Sequence, residues 1–181
     1  MNPSSIPQLE LERARRGDRA AFEGIVAEYQ AAVYTLCHQL LADPDEAADV
    51  TQDVFLAAWL NLHQVKGNLQ AWLFKVAINR CRDRLRRRRH LAAEPPPERP
   101  DPSLDARPEE AVLRAERQEA VRRALLGLDP DQRLAVVLAD LFGYAYGEIA
   151  ALTGWPVGTV RSRIHRGRLA LRAALLKGPE L

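Results

Sequence analysis

Cysteine is scarce: Cys37 and Cys81 are the only two in 181 residues, and each sits inside an apolar helical pattern. Two isolated thiols cannot supply a disulfide framework or a four-ligand zinc site. Both read as buried small side chains, with redox sensing as the minor alternative. His38, His63, His90 and His165 form no pair at metal-ligand spacing, so neither a metal nor another cofactor is expected. No run approaches the ~20 apolar residues of a membrane span. The N-terminus MNPSSIPQLELERARRGD lacks the apolar core of a signal peptide, so a cytoplasmic protein without membrane insertion is expected. Strand-like alternation is missing throughout. So are a Ser/His/Asp or Cys/His set and a phosphate-cradling glycine loop, which excludes the common enzyme classes.

One local absence says more. The formal net charge is only +2, yet no acidic residue falls between Trp155 and Lys177, where Arg161, Arg163, Arg166, Arg168, Arg172 and Lys177 are all basic. Such a stretch is a phosphate-binding footprint. It lies within a helix-turn-helix pattern. A short helix over 147–152 carries Ile149, Ala150 and Leu152, and Thr153-Gly154-Trp155-Pro156 supplies a turn glycine and a helix-starting proline. A second helix runs to about Leu175, with Val157, Val160, Ile164 and Leu171 on one face. Short donors and arginines near its start suit base reading in a major groove. Thr159, Arg161, Ser162, His165 and Arg166 are the candidates.

Earlier in the chain, a short helix near Leu9–Arg16 ends at Gly17, and Asp18 is placed to cap a long amphipathic helix to Leu41. Asp43-Pro44-Asp45-Glu46 starts another helix, whose apolar face is Val54, Phe55, Ala58 and Leu62. Asp49, Gln52 and Asp53 lie on its other side with Leu56 among them, an acidic patch around an exposed leucine. That patch is either ordinary helix surface or a docking face. After a loop, His63-Gln64-Val65-Lys66-Gly67-Asn68, a further helix buries Phe74, Ala77, Ile78, Cys81 and Leu85. Its opposite stripe combines Trp72, Val76, Asn79, Asp83 and Arg86 with Lys75 and Arg82 alongside. Aromatic, amide and basic groups on one face suit a single-stranded nucleic acid; the other reading packs Trp72 against the preceding helix. Arg80 to Arg89 form a basic tail read as phosphate contact.

Residues 91–110 hold six of the chain's twelve prolines and six acids, a composition that cannot bury apolar surface. Helical patterning resumes from Glu109 to Leu126, and again from Asp131 to Phe142 with Leu134, Val137, Leu138 and Leu141 buried. The expected fold is all-α: two small helical domains, 1–90 and 111–181, joined by a flexible linker over 91–110.

This order resembles the sigma-70 family of bacterial transcription initiation factors, specifically the compact extracytoplasmic-function (ECF, group 4) sigma factors that keep only regions two and four. Asp49-Val50-Thr51-Gln52-Asp53-Val54-Phe55 resembles region 2.2, Ala71–Asn79 with Asp83–Arg87 resembles regions 2.3 and 2.4, and Tyr146–Ala150 with Pro156–Arg166 resembles region 4.2. The resemblance places Asp49, Gln52, Asp53 and Phe55 on the motif that docks on the clamp helices of the polymerase largest subunit; with Phe55 toward the apolar face, the expected docking set is Asp49, Gln52, Asp53 and the exposed Leu56. Trp72, Lys75, Asn79, Arg82 and Arg86 would then serve the −10 element, His63 to Asn68 would capture a flipped base, and the region 4.2 candidates would read −35. Further implied partners are the flap of the second-largest subunit, promoter DNA and an anti-sigma factor. Gly167 stands where the family often has alanine, a change expected to cost up to ~1 kcal/mol of helix stability. A stand-alone helix-turn-helix regulator of duplex DNA is the competing reading.

Overall fold

The computed structural model describes residues 6–91 and 119–176, with side chains described except at 89–91. The proline-rich stretch read as a linker, and the start of the helix expected from Glu109, lie outside these residues.

The first lobe comprises α1 (Gln8–Arg15), α2 (Arg19–Leu41), α3 (Pro44–Asn61), a 3-10 turn (Leu62–Gln64) and α4 (Leu69–Leu91). The second holds α5, described over 119–126, then α6 (Pro130–Val136), a π-turn (Val137–Leu141), α7 (Tyr146–Thr153) and α8 (Val157–Leu176). No strand occurs among the described residues. Helix starts follow local chemistry: Asp18, Asp43 and Asn68 each accept the backbone N–H three residues on, at 3.0–3.2 Å. Asp129 does the same for α6 ahead of Pro130.

Each lobe buries one stripe of its helices. Ile25, Val33, Leu36, Val50, Val54, Leu73 and Ile78 are fully buried in the first, and Leu138, Ile149, Val160 and Ile164 nearly so in the second. Cys37 and Cys81 meet in the first core. Hydrogen bonding to Cys37, helped by burial, pushes the Cys81 thiol well above its ordinary value, which keeps it protonated.

Two apolar expectations are corrected. Leu141 is 54% exposed and Val157 46% exposed. The π-turn inserts an extra residue into the α6 register, with Phe142 N–H donating to Val137 C=O at 3.2 Å. That swings Leu141 outward and brings Phe142 in. Val157 is simply the first residue of α8, one turn before the packed face begins at Val160.

Gly167 is corrected as well. A Cβ there would lie 2.6 Å from Val136 Cγ2 and 3.2 Å from Gln132 C=O, so the missing side chain is what lets α8 touch α6. Overpacking of this kind costs about 1–3 kcal/mol, against up to ~1 kcal/mol of helix propensity gained. Gly167→Ala should therefore destabilise the second lobe by about 1–2 kcal/mol, read from thermal unfolding; an increase in melting temperature would contradict the close-contact role.

Candidate partner and nucleic-acid surfaces

The α3 surface carries the first predicted group. Asp49 and Gln52 are exposed and Asp53 half-exposed, while Leu56 is 59% exposed. Sequence reasoning stopped there, but Leu60, one turn further on, is 61% exposed. Leu56 and Leu60 lie at i and i+4, so the acids lead into an apolar ridge. Leu60 was discoverable as an apolar residue off the Val54–Ala58 face. Phe55 is buried and supports the helix from beneath.

The loop over 63–68 divides in two. His63, Gln64, Lys66 and Gly67 are exposed, and Gly67 takes φ +82°, a left-handed conformation suited to glycine. Val65 is only 3% exposed, anchored in the core. Asn68 is engaged in capping α4 through Ala71 N–H. Of these two, Val65 is turned into the core, whereas Asn68 is half-buried and still lines the cleft beside α4.

The α4 stripe faces the second lobe. Lys75 and Asn79 are exposed, and Arg86 is exposed but paired with Asp83 at 2.6 Å. Trp72 is half-buried. With Lys66 and Lys75 it lines one wall of a cleft of about 560 Å³, whose other wall includes Leu141, Tyr144 and Glu148. Trp72 packs on the core and also faces the cleft. Burial pushes the Tyr144 hydroxyl up to about 12, with Glu148 and Tyr29 adding to the rise. Arg82 is turned into the seam between the lobes. It lies 4.8 Å from the Trp155 ring centroid and 3.8 Å from Asp131, and donates to Thr153 C=O at 3.4 Å. Burial pulls its pKa down, and Asp131 opposes that.

Within the second lobe, Arg163 stacks on Trp155 at 3.9 Å and pairs with Asp131 at 2.7 Å, bracing the two groups that Arg82 meets. Two further contacts cross the seam. Phe74 of α4 meets Phe142 edge-on at 4.8 Å. Arg133, 7% exposed, donates to Leu40 C=O at 2.8 Å and to Leu126 C=O at 2.7 Å. Leu40 lies in the last turn of α2, where Pro44 has no N–H to offer its carbonyl, so a side chain from the other lobe caps it.

Pairing within the second lobe also thins the basic footprint of α8. Arg163 is held by Asp131 and Arg168 by Asp140, so these two are structural. Arg161, His165 and Arg166 remain exposed beside the half-exposed Thr159 and Ser162, with Ser162 Oγ donating to Thr159 C=O at 2.9 Å. Gly154, at φ +74°, makes the sharp turn that sets α8 against α7. In the basic tail of α4, Arg88 is likewise structural, bonded to Glu46 at 2.7 Å and to Leu41 C=O at 3.1 Å.

Residues 25–91 match the model of sigma-70 region 2, and residues 118–171 that of sigma-70 region 4. The chain is 36% identical over 183 residues to the ECF RNA polymerase sigma factor SigE of Mycolicibacterium smegmatis, covering 98% of this chain and 71% of that protein. It is 31% identical over 186 residues to the ECF RNA polymerase sigma factor SigW of Bacillus subtilis, covering 91% and 94%. Among solved structures it resembles CnrH in complex with the cytosolic domain of CnrY (TM-score 0.69, 28% identity, 94% of this chain and 97% of that one). It also resembles the sigma factor RpoE in complex with the anti-sigma factor NepR from Bartonella quintana (TM-score 0.70, 26% identity, 88% and 98%).

Proposed function

Because the chain belongs to the ECF sigma factors of RNA polymerase, we propose that its three surfaces divide the work of promoter-specific initiation among themselves. The α3 ridge of Asp49, Gln52, Asp53, Leu56 and Leu60 docks on the clamp helices of core polymerase, acids to basic partners and leucines to an apolar strip. Arg161, Ser162, His165 and Arg166, with Thr159 at the helix start, read the −35 duplex in the major groove. Lys75, Asn79, Arg86 and Trp72, with the tip of the 63–68 loop, hold the melted −10 strand by phosphate neutralisation, edge bonding and stacking. The second lobe also meets the flap of the second-largest subunit, over a domain division of 1–90, 91–110 and 111–181. The chain works in the cytoplasm and performs no chemical step itself; polymerase does.

The observation that carries this reading is the coexistence of an exposed acidic and apolar ridge on α3 with an acid-free recognition face on α8. A regulator that only bound duplex DNA would need the second alone. Family membership further disfavours that alternative.

Closure of the lobes across Arg82, Trp155 and Asp131 places the second lobe over part of the −10 surface, so the seam has to part before both promoter elements are held. Control by an anti-sigma factor fits this arrangement. The similarity to RpoE in its NepR complex spans 88% of this chain, and a partner stabilising the closed form would withhold the −10 stripe from DNA.

Asp53→Arg tests the docking assignment. The variant should assemble with core polymerase at least about tenfold more weakly, the scale of one lost charged interfacial contact, while its binding to −35 duplex stays unchanged. Normal holoenzyme assembly would remove α3 from the interface.

A further inference from the structure

The loop proposed to capture a flipped base is held from behind by a residue outside every surface described so far. Arg15, the last residue of α1, reaches across fifty positions of sequence and donates from Nη2 to the Val65 carbonyl at 2.7 Å. Its Nε is buried with no acceptor, so the guanidinium is not merely lying along the surface.

Val65 is the pivot of that loop. Its N–H donates to Leu62 C=O at 3.2 Å, closing the 3-10 turn, and its side chain is 3% exposed. With the carbonyl taken by Arg15, all three of its groups are fixed. On the other side of the tip, Asn68 caps α4 and its carbonyl accepts Trp72 N–H at 3.2 Å. Only Lys66 and Gly67 lie between these anchors. Their height above the cleft, and their spacing from Trp72 and Lys75 along the same wall, is therefore set by Val65 and Asn68.

Arg15 is itself well placed. Leu11 and Ala14 bury α1 against the first core, and the Arg13–Asp18 ion pair at 2.7 Å ties the end of α1 to the residue that caps α2. The bond to Val65 thus links the loop to a corner already fixed on the core.

We propose that Arg15 is a positioning residue for −10 base capture: it contacts no nucleic acid but sets the register of the Lys66–Gly67 tip against the melted strand. The inference rests on the reading of the 63–68 loop as the capture loop. Loss of the bond would free the Val65 carbonyl to rotate toward water and let the tip move, so selectivity at the captured base would fall while −35 reading persists.

The test uses full-length protein assembled with core polymerase and a promoter series carrying every base at each −10 position. The readout is the ratio of initial transcription rates between preferred and other bases. One mismatched base pair is worth about 1–3 kcal/mol, or roughly 5- to 160-fold. Arg15→Ala is expected to shrink the ratio at one −10 position by about fivefold or more, leaving discrimination at −35 unchanged, and Arg15→Lys, which keeps a donor, is expected to recover most of it. A uniform drop across all promoters, or a lysine variant no better than alanine, would show Arg15 to be structural only. Lys66→Ala with Gly67→Ala is the companion variant. If it alters −10 discrimination while Arg15→Ala does not, the inference about Arg15 fails alone. If the tip variant is silent too, the capture-loop reading falls and takes the inference with it.

Discussion

Arg133→Met should destabilise the protein by about 3 kcal/mol. Methionine keeps the length of the stem and much of its packing, so the loss isolates the guanidinium. That group donates to the carbonyls of Leu40, Leu126 and Leu128 at 2.7–3.3 Å, and it is nearly inaccessible to solvent. A hydrogen bond to a charged group contributes about 1.5–3 kcal/mol, and a buried acceptor left bare costs about 1–3 kcal/mol. Since the carbonyls belong to the ends of α2 and α5, the effect should be felt in both lobes, with chemical unfolding changing from one coupled transition to two. Arg133→Lys should recover only part of the loss, because an ammonium lacks the fork that reaches two helix ends at once. Unfolding curves within 0.5 kcal/mol of the parent, the ordinary range for surface changes, would remove Arg133 from the seam.

Asp131→Arg should open the molecule. Across the seam Asp131 attracts Arg82 at 3.8 Å, and the charge reversal turns that attraction into a repulsion. Each pair of unit charges at ~4 Å is worth about 1 kcal/mol in water and more near a protein surface. A change of about 2 kcal/mol or more shifts the ratio of open to closed forms by roughly thirtyfold. Small-angle scattering should record a larger radius of gyration, and single-stranded −10 DNA should bind the variant more tightly than the parent. Adding Arg82→Glu recreates a pair across the seam and should restore compactness. DNA binding is not the readout for that double variant, since Arg82 is itself a candidate contact. An unchanged radius for Asp131→Arg would mean that the Phe74–Phe142 and Arg133 contacts hold the lobes without the Arg82–Asp131 ion pair.

Local chemistry made most of the fold legible. Asp18, Asp43 and Asp129 announced helix starts because a capping carboxylate acts within three residues, and the all-α, two-lobed architecture followed from periodicity. The π-turn after Val136 was not legible, since nothing in VLADL marks an inserted residue and the burial of Leu141 was therefore misassigned. The seam was hidden for a different reason: its members are arginines, which read as solvent- or DNA-facing. Yet a signal existed. Arg133 lies four residues before buried Val137, and Arg82 four residues after buried Ile78, so each shares a helix edge with the core. The acid-free run of α8 concealed Arg163 and Arg168 in the same way, because their counter-ions Asp131 and Asp140 lie on the preceding elements. Within the 63–68 loop, spacing alone could not separate the anchors Val65 and Asn68 from the exposed tip.

The most direct test of the central claim is transcription in vitro from a fragmented genomic template by core polymerase, with and without this protein, mapping RNA 5′ ends. The account predicts new start sites that share two upstream elements, one at −35 and one at −10, and that disappear with Asp53→Arg. Sequence-specific duplex binding with no new start sites would contradict it, leaving the α3 ridge as plain surface.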